Sequence, residues 1–181
     1  RCITYNSTMR TRPFILLSGA ALLLLAGCAS GGSGGGESDT TYVPPKQEEA
    51  QVKGGFDSPL TLPDGTSFTL SSPTSFTPGK FASGQIKGQK YLDFKISVTN
   101  GGKSPLDLST LIVTGVTPAG NCADIFDGDN NVNGAPQEPL AVGKNIEVNW
   151  ALSCPGAPGA NLDVSLQNNG ANLIQASGKL S

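Results

Sequence analysis

Two spacings in the chain could carry chemistry. Cys28 closes the run Leu25-Ala26-Gly27-Cys28, and the segment from Asp127 to Glu138 sets Asp127, Asp129, Asn131, Asn133 and Glu138 at positions 1, 3, 5, 7 and 12 of a twelve-residue stretch. Small residues leading to a cysteine behind an apolar run form a lipobox. The thiol takes a diacylglyceryl group, and cleavage before it makes that cysteine the first residue of the mature chain. The acidic stretch has the ligand spacing of a calcium loop, in which carboxylate and carbonyl oxygens replace the water around a hard cation.

The calcium grammar is incomplete. The position that needs a turn glycine is Val132, the apolar position 8 is Gly134, Pro136 stiffens the exit, and no helical pattern flanks the segment. The residues favour a polar inter-strand loop, since Asp, Asn and Gly tolerate turn geometry. Calcium is kept as the alternative.

Catalysis has few residues to draw on. The chain has no histidine, and its three arginines, Arg1, Arg10 and Arg12, all precede Cys28. Without histidine there is no Ser-His or Cys-His nucleophile and no histidine-ligated metal. Without arginine after Cys28 there is no bidentate clamp for phosphate or carboxylate. Carboxylate pairs for glycoside hydrolysis could be drawn from Asp93, Asp107, Asp124, Glu147 and Asp163, but each falls where strand alternation or a turn puts a solvated charge. The chain is expected to be no enzyme and to carry no cofactor. From Cys28 onward, nine lysines face fourteen acidic residues, a formal charge of −5, so there is no basic patch to displace the counterions of nucleic acid.

The lipobox needs a segment that delivers it. Met9, the only methionine, is followed by Arg10 and Arg12 and by an apolar run from Phe14 to Ala26, interrupted by Ser18 and Gly19. A basic start, an apolar core and small residues at the cut define a secretory signal. The run is about 13 residues, against about 20 for a membrane span. Residues 9–27 are therefore read as a lipoprotein signal peptide, in preference to an uncleaved anchor or an ordinary signal. Met9 is taken as the start, and residues 1–8, with Cys2, are set aside as an over-extended start or a fragment edge.

Residues 28–55 follow as lipidated cysteine and linker. Gly and Ser from Ala29 to Gly36, then charges with Pro44 and Pro45, cannot build a core. A coil of about 27 residues spans roughly 30 Å. Beyond it, residues 56–181 read as an all-β domain. The clearest strand is Tyr91 to Asn100, with Leu92, Phe94, Ile96 and Val98 on one face and Asp93, Lys95, Ser97 and Thr99 on the other, closed by Asn100-Gly101-Gly102. Shorter strands are expected at 60–62, 66–71, 110–116, 145–152, 162–166 and 173–176. About seven strands with frequent turns argue for an antiparallel β-sandwich of immunoglobulin type. Cys122 and Cys154 are expected to pair in an oxidising compartment, in preference to two buried thiols. Closing 31 intervening residues would contribute roughly 3–4 kcal/mol. Trp150, four residues before Cys154, is expected in the core, with a binding aromatic as the alternative.

The order Leu62-Pro63-Asp64-Gly65-Thr66, the strand ending Val98-Thr99-Asn100-Gly101, then Pro105 to Ser109, Ile125-Phe126-Asp127 and Pro139 to Lys144 resembles a domain of unknown function found in actinobacterial and other Gram-positive lipoproteins. That family is similar to the immunoglobulin-like sandwich of a mycobacterial secreted immunoprotective antigen. The resemblance covers about Phe56 to Ser181 and implies a fold and an envelope location, with no catalytic residues to carry over. The expectation is a non-catalytic binding or display module on the extracytoplasmic face of the cell membrane, held by lipid on Cys28. Its partners would be an envelope protein, a wall component or a host surface, and not nucleic acid.

Overall fold

The computed structural model describes residues 49–180, so the expected signal peptide and lipobox, Cys28 and most of the expected linker lie outside it. Strand alternation supplies its framework. The segment Lys90–Thr99 (β5) buries Leu92, Phe94, Ile96 and Val98, and pairs antiparallel with Asn145–Cys154 (β9) along its whole length, setting Phe94 opposite Trp150 and Leu92 opposite Leu152. Leu60–Thr61 (β2), Ser67–Leu70 (β3) and Ala123–Ile125 (β8) complete this sheet in the order β2-β3-β5-β9-β8. Thr74–Ser75 (β4) resumes the pairing with β5 after a break at Ser71 to Pro73.

The second sheet runs β1-β11-β10-β6-β7, from Val52–Gly55 (β1), Ala171–Lys179 (β11), Asn161–Asn168 (β10), Ile112–Thr117 (β6) and Gly120–Asn121 (β7). Its inward side chains, Val113, Leu162, Val164, Leu166, Ile174 and Ala176, meet those of β3, β5 and β9 in one core. The result is an all-β sandwich. Strands β3, β5, β9 and β8 stand side by side as A, B, E and D of an immunoglobulin-type domain, and β6, β10 and β11 as C, F and G. Six of these seven answer to expected strands; the seventh, β8, was not expected, and the strand expected at 60–62 is the two-residue β2. Beyond the seven, β1, β2, β4 and β7 are two to four residues long.

Strand β1 begins the sandwich at Val52, four positions before the expected boundary at Phe56. It is also the exception to antiparallel pairing, running parallel to β11 with Val52 opposite Ile174 and Gly55 opposite Ser177. Two glycines hide it in the sequence, because they carry no periodicity. In the fold Gly54 packs against the Leu60 side chain, whose Cδ2 would have to move to admit a Cβ there.

The Asn100-Gly101-Gly102 turn is pinned from within. Buried Asn100 donates through Nδ2 to the carbonyls of Ser104 (2.9 Å) and Leu140 (2.8 Å), and its Oδ1 accepts the Gly102 amide at 3.0 Å. A methyl on Gly101 would run into the Gly65 carbonyl, which is why glycines stand on both sides of this approach.

Cys122 and Cys154 form a disulfide, with Cα atoms 4.2 Å apart. Cys154 ends β9, and the Cys122 amide donates to the Gly115 carbonyl of β6 at 2.8 Å, so the bridge ties one sheet to the other.

Candidate functional site

The outer face of the β5-β9 sheet is only partly wet. Along β9 the burial alternates up to Trp150 and then becomes continuous, with Ala151, Leu152, Ser153 and Cys154 all buried. A second, smaller core explains this. Ile125, Val132 and Ala151 pack together with Phe76, Ala82 and Tyr91, so the 76–91 connection and the acidic loop fold over the outside of the sheet.

These two segments are zipped together. The Ser83 and Phe126 backbones exchange hydrogen bonds at 2.9 and 3.0 Å, and the Gly79 amide donates to Asp127 Oδ2 at 2.7 Å. The acidic loop itself is a tight hairpin: Asp127 and Val132 exchange backbone bonds of 2.9 Å around a 3-10 turn at Gly128–Asn130. Val132, which stands where a calcium loop needs glycine, is 3% exposed and plugs the small core. Asp129, Asn131, Asn133 and Glu138 are exposed. Among the described residues no group of three or more acidic, histidine or cysteine side chains is placed to hold a metal.

Asp127 behaves differently from the others. It is 2% exposed; Oδ2 accepts from Gly79 and from Asn130 Nδ2 (2.8 Å), while Oδ1 is buried with no hydrogen-bond partner. The Gly79 amide, then the Asn130 side chain, hold its carboxyl below the ordinary value. Asp127 Oδ1, Asp127 Oδ2 and Asp129 Oδ2 all lie within 3.3 Å of the point where a side chain on Gly79 would begin. A side chain on Gly79 would be crowded by these carboxylate oxygens, which favours glycine there.

The other carboxylates have structural partners. Asp93 accepts from Thr74 Oγ1 (2.7 Å), Asp107 from the Ser109 amide (2.9 Å) and Asp163 from Ser177 Oγ (2.6 Å), while Glu147 pairs with Lys95 at 2.7 Å. Asp124 is the least like a solvated strand charge. Half-buried beside the core, it accepts the Trp150 indole N–H at 2.9 Å. Burial pushes its carboxyl above the ordinary value, and the indole hydrogen bond opposes that shift.

A pH dependence follows from that opposition. A carboxyl whose value is raised by folding stabilises the fold while protonated, and the contribution is lost as pH rises through the folded value. Asp57, Asp107 and Asp127 are lowered, Asp57 first by the Ser72 hydroxyl and Asp107 first by the Ser109 amide. They stabilise the fold above the ordinary carboxylate range and cease to as pH falls through their depressed values. Asp124→Asn keeps an oxygen for the indole and removes the charge, so it is expected to raise the melting temperature at pH 7 and to lessen the gain in stability as pH falls toward the ordinary carboxylate range. A series of thermal melts from pH 7 downward checks this; an unchanged pH profile would contradict it.

Large apolar side chains remain in water on the same zipped segments: Phe81 is 79% exposed, Phe126 50% and Ile86 45%. Lys80 lies over the Phe81 ring, its Nζ 5.4 Å from the centroid. On the opposite sheet, the outer face forms an open concavity of about 1090 Å³ whose lining includes polar Thr114, Ser165, Gln167 and Gln175 and the charged Glu49 and Lys53. In the sequence Phe81 was not singled out, and Phe126 entered only within the resemblance motif Ile125-Phe126-Asp127. The signal available was an aromatic next to lysine in a Gly-rich segment.

No family model and no curated protein matches the chain. Among solved structures, a protein of Bacillus subtilis described as a "putative lipoprotein" superposes with a TM-score of 0.51 at 16% identity, over 74% of this chain and 39% of that one, so the chain spans about two fifths of that relative's length. The secreted protein MPT63 of Mycobacterium tuberculosis superposes with a TM-score of 0.49 at 16% identity, over 72% of this chain and 100% of that one. A β-sandwich protein of Clostridium difficile gives 0.45 at 14% identity, over 76% and 100%. At such identities the likeness to the Bacillus protein shows the fold alone, and the two looser superpositions add nothing to it.

Proposed function

We propose that the chain is a non-catalytic, lipid-anchored binding module on the outer face of the cell membrane, which engages an envelope or host component through the paired segments 78–84 and 124–127. The observation that carries this reading is the exposure of Phe81 and Phe126 on two loops held rigidly by backbone hydrogen bonds. Single exposed apolar side chains are ordinary, whereas a group on one scaffolded surface marks a contact site. The lipobox supports the anchor. Two acyl chains on Cys28 hold a protein where one gives only marginal binding. The resemblance to domains of Gram-positive lipoproteins supports the location.

A photoreactive residue at position 81 of the anchored chain is expected to capture an envelope component that position 142 does not. Val142 is also exposed but lies at the other end of the sandwich, beside the turn that closes β5. Equal capture at both positions would defeat the reading. Labelled palmitate is expected on the natural chain and to be absent from Cys28→Ala, which should leave the membrane fraction entirely; label retained by the variant would remove the anchor. A second reading, an extracytoplasmic calcium-binding module, is favoured by the buried, unpartnered Oδ1 of Asp127.

A further inference from the structure

We propose that a depression of about 290 Å³ on the outer face of the β5–β9 sheet is a subsite for one pyranose unit of a glycan, with the Phe76 ring against the sugar and Asp93, Asn130 and Asn149 binding its hydroxyls. It shares no residue with the Phe81 and Phe126 surface and does not depend on it. The depression exists because the cover of this face stops part-way. Along β9 the side chains that alternate with inward Val148 and Trp150 are Glu147, Asn149, Ala151 and Ser153. Ser153 accepts the Ile86 amide at 3.1 Å and Ala151 packs with Val132 and Phe76, whereas Glu147 is in water. Asn149 stands at the step, opposite Lys95 in the ladder. The facing wall comes from the break between β3 and β4, where the Ser72 amide turns away to Asp57 at 3.0 Å before Thr74 rejoins β5 opposite Asp93.

A sugar ring offers two kinds of surface, an apolar C–H face and a rim of hydroxyls that both donate and accept. The lining answers both. Phe76 is half-buried in the small core and also borders the depression. The Asn149 amide has no hydrogen-bond partner among the described residues, so its donor and its acceptor are both available. Asp93 uses Oδ1 for Thr74 Oγ1 at 2.7 Å, which leaves Oδ2; Asn130 gives one Nδ2 proton to Asp127, which leaves its Oδ1. Bonds from hydroxyls to a carboxylate oxygen are the stronger kind. Charge favours a neutral ligand. The lysine at the rim, Lys95, is paired with Glu147 at 2.7 Å, and the Asp93 carboxylate repels phosphates and other carboxylates. Small-molecule sites begin at about 300 Å³, so the depression suits a single ring, and its exposed rim at Ser72, Thr74 and Asn130 lets the rest of a glycan run on into solvent.

The full chain, labelled with nitrogen-15 and held in a detergent that has no sugar headgroup, is titrated with N-acetylglucosamine and with glucose while its amide resonances are followed. At least one of the two sugars is expected to shift the amides of 71–76, 130–132 and Asn149 together, saturating with a dissociation constant of roughly 1–10 mM, the range for a ligand of about a dozen non-hydrogen atoms. Sorbitol, which has the hydroxyls without the ring face, should not shift them. Asn149→Ala removes a side chain bonded to nothing in the protein, so it is expected to melt like the parent and to weaken binding about fivefold, the effect of one hydrogen bond. Phe76→Leu keeps an apolar side chain in the small core and should weaken binding by a similar factor. No saturating shift from either sugar, or equal shifts from sorbitol, would overturn the subsite. Undiminished binding in either variant would overturn it too, by placing the sugar elsewhere.

Discussion

Trp150→Ala is expected to lower the unfolding free energy by about 4 kcal/mol, the cost of deleting a buried tryptophan. The indole is 5% exposed, stands opposite Phe94 across the β5–β9 ladder and belongs to the main core. Its loss has a second component, because Asp124, half-buried, would keep its charge and lose the N–H that offsets its desolvation. Trp150→Phe separates the two. It keeps most of the apolar volume and drops the hydrogen bond, for an expected loss of about 2 kcal/mol, within the range for bonds to charged acceptors. Urea unfolding followed by far-ultraviolet circular dichroism measures both, since Trp150 is the only tryptophan and its fluorescence is lost with it. A loss below about 1 kcal/mol for alanine would identify the indole as a surface aromatic available for binding.

Opening the Cys122–Cys154 bridge is expected to cost roughly 3–4 kcal/mol by the loop-closure estimate, which for a domain of this size is a fall of roughly 10 °C in melting temperature. The sequence separation of 32 sets the entropic part. The local part comes from packing. Gly115 of β6 has no side chain where a Cβ would stand 2.8 Å from Cys122 Sγ and 2.8 Å from Leu152 Cδ1, so the bridge lies in a slot that no other residue fills. With both cysteines replaced by alanine, the crossing from β7 to β8 keeps the amide bond of residue 122 to Gly115 and the β8–β9 ladder but loses its covalent link to β9. Exchange should therefore accelerate between 117 and 125 before it does elsewhere. A double variant that melts within about 2 °C of the parent would show that the sheets are held without the bridge.

The long strands were legible because one face is core and the other is wet. In β5, β10 and β11 alternation survives almost unbroken, and their positions follow from it. What escaped reading depends on partners distant in the chain. Strand β1 is Val-Lys-Gly-Gly, and only the last strand of the domain gives it a place. The second core was signalled by the unbroken run Trp150-Ala151-Leu152-Ser153-Cys154, a pattern of burial on both faces, but nothing local said that Val132 and Phe76 would supply the cover. In the acidic stretch, the ligand count was local and the decisive neighbour, Gly79, is 48 positions away. Asp124 was read as a solvated strand or turn charge; in the fold it is half-buried and accepts the indole N–H of Trp150 on the neighbouring strand.

The parallel pairing of β1 with β11 also decides how the domain bears load. Strand β1 starts beside the turn between β10 and β11, where the Gln51 amide reaches the Asn172 carbonyl, and runs toward the end of the sandwich that holds the loop following Cys154. A pull on the chain before Val52 is therefore directed along β1, sliding it lengthwise past β11. Bonds of a ladder strained this way share the force and must fail together, whereas a hairpin pulled at one end opens bond by bond. With Phe56 packed against Gly178 just beyond β1 as a further stop, drag on a captured partner would meet the sandwich in shear, its mechanically stiff direction.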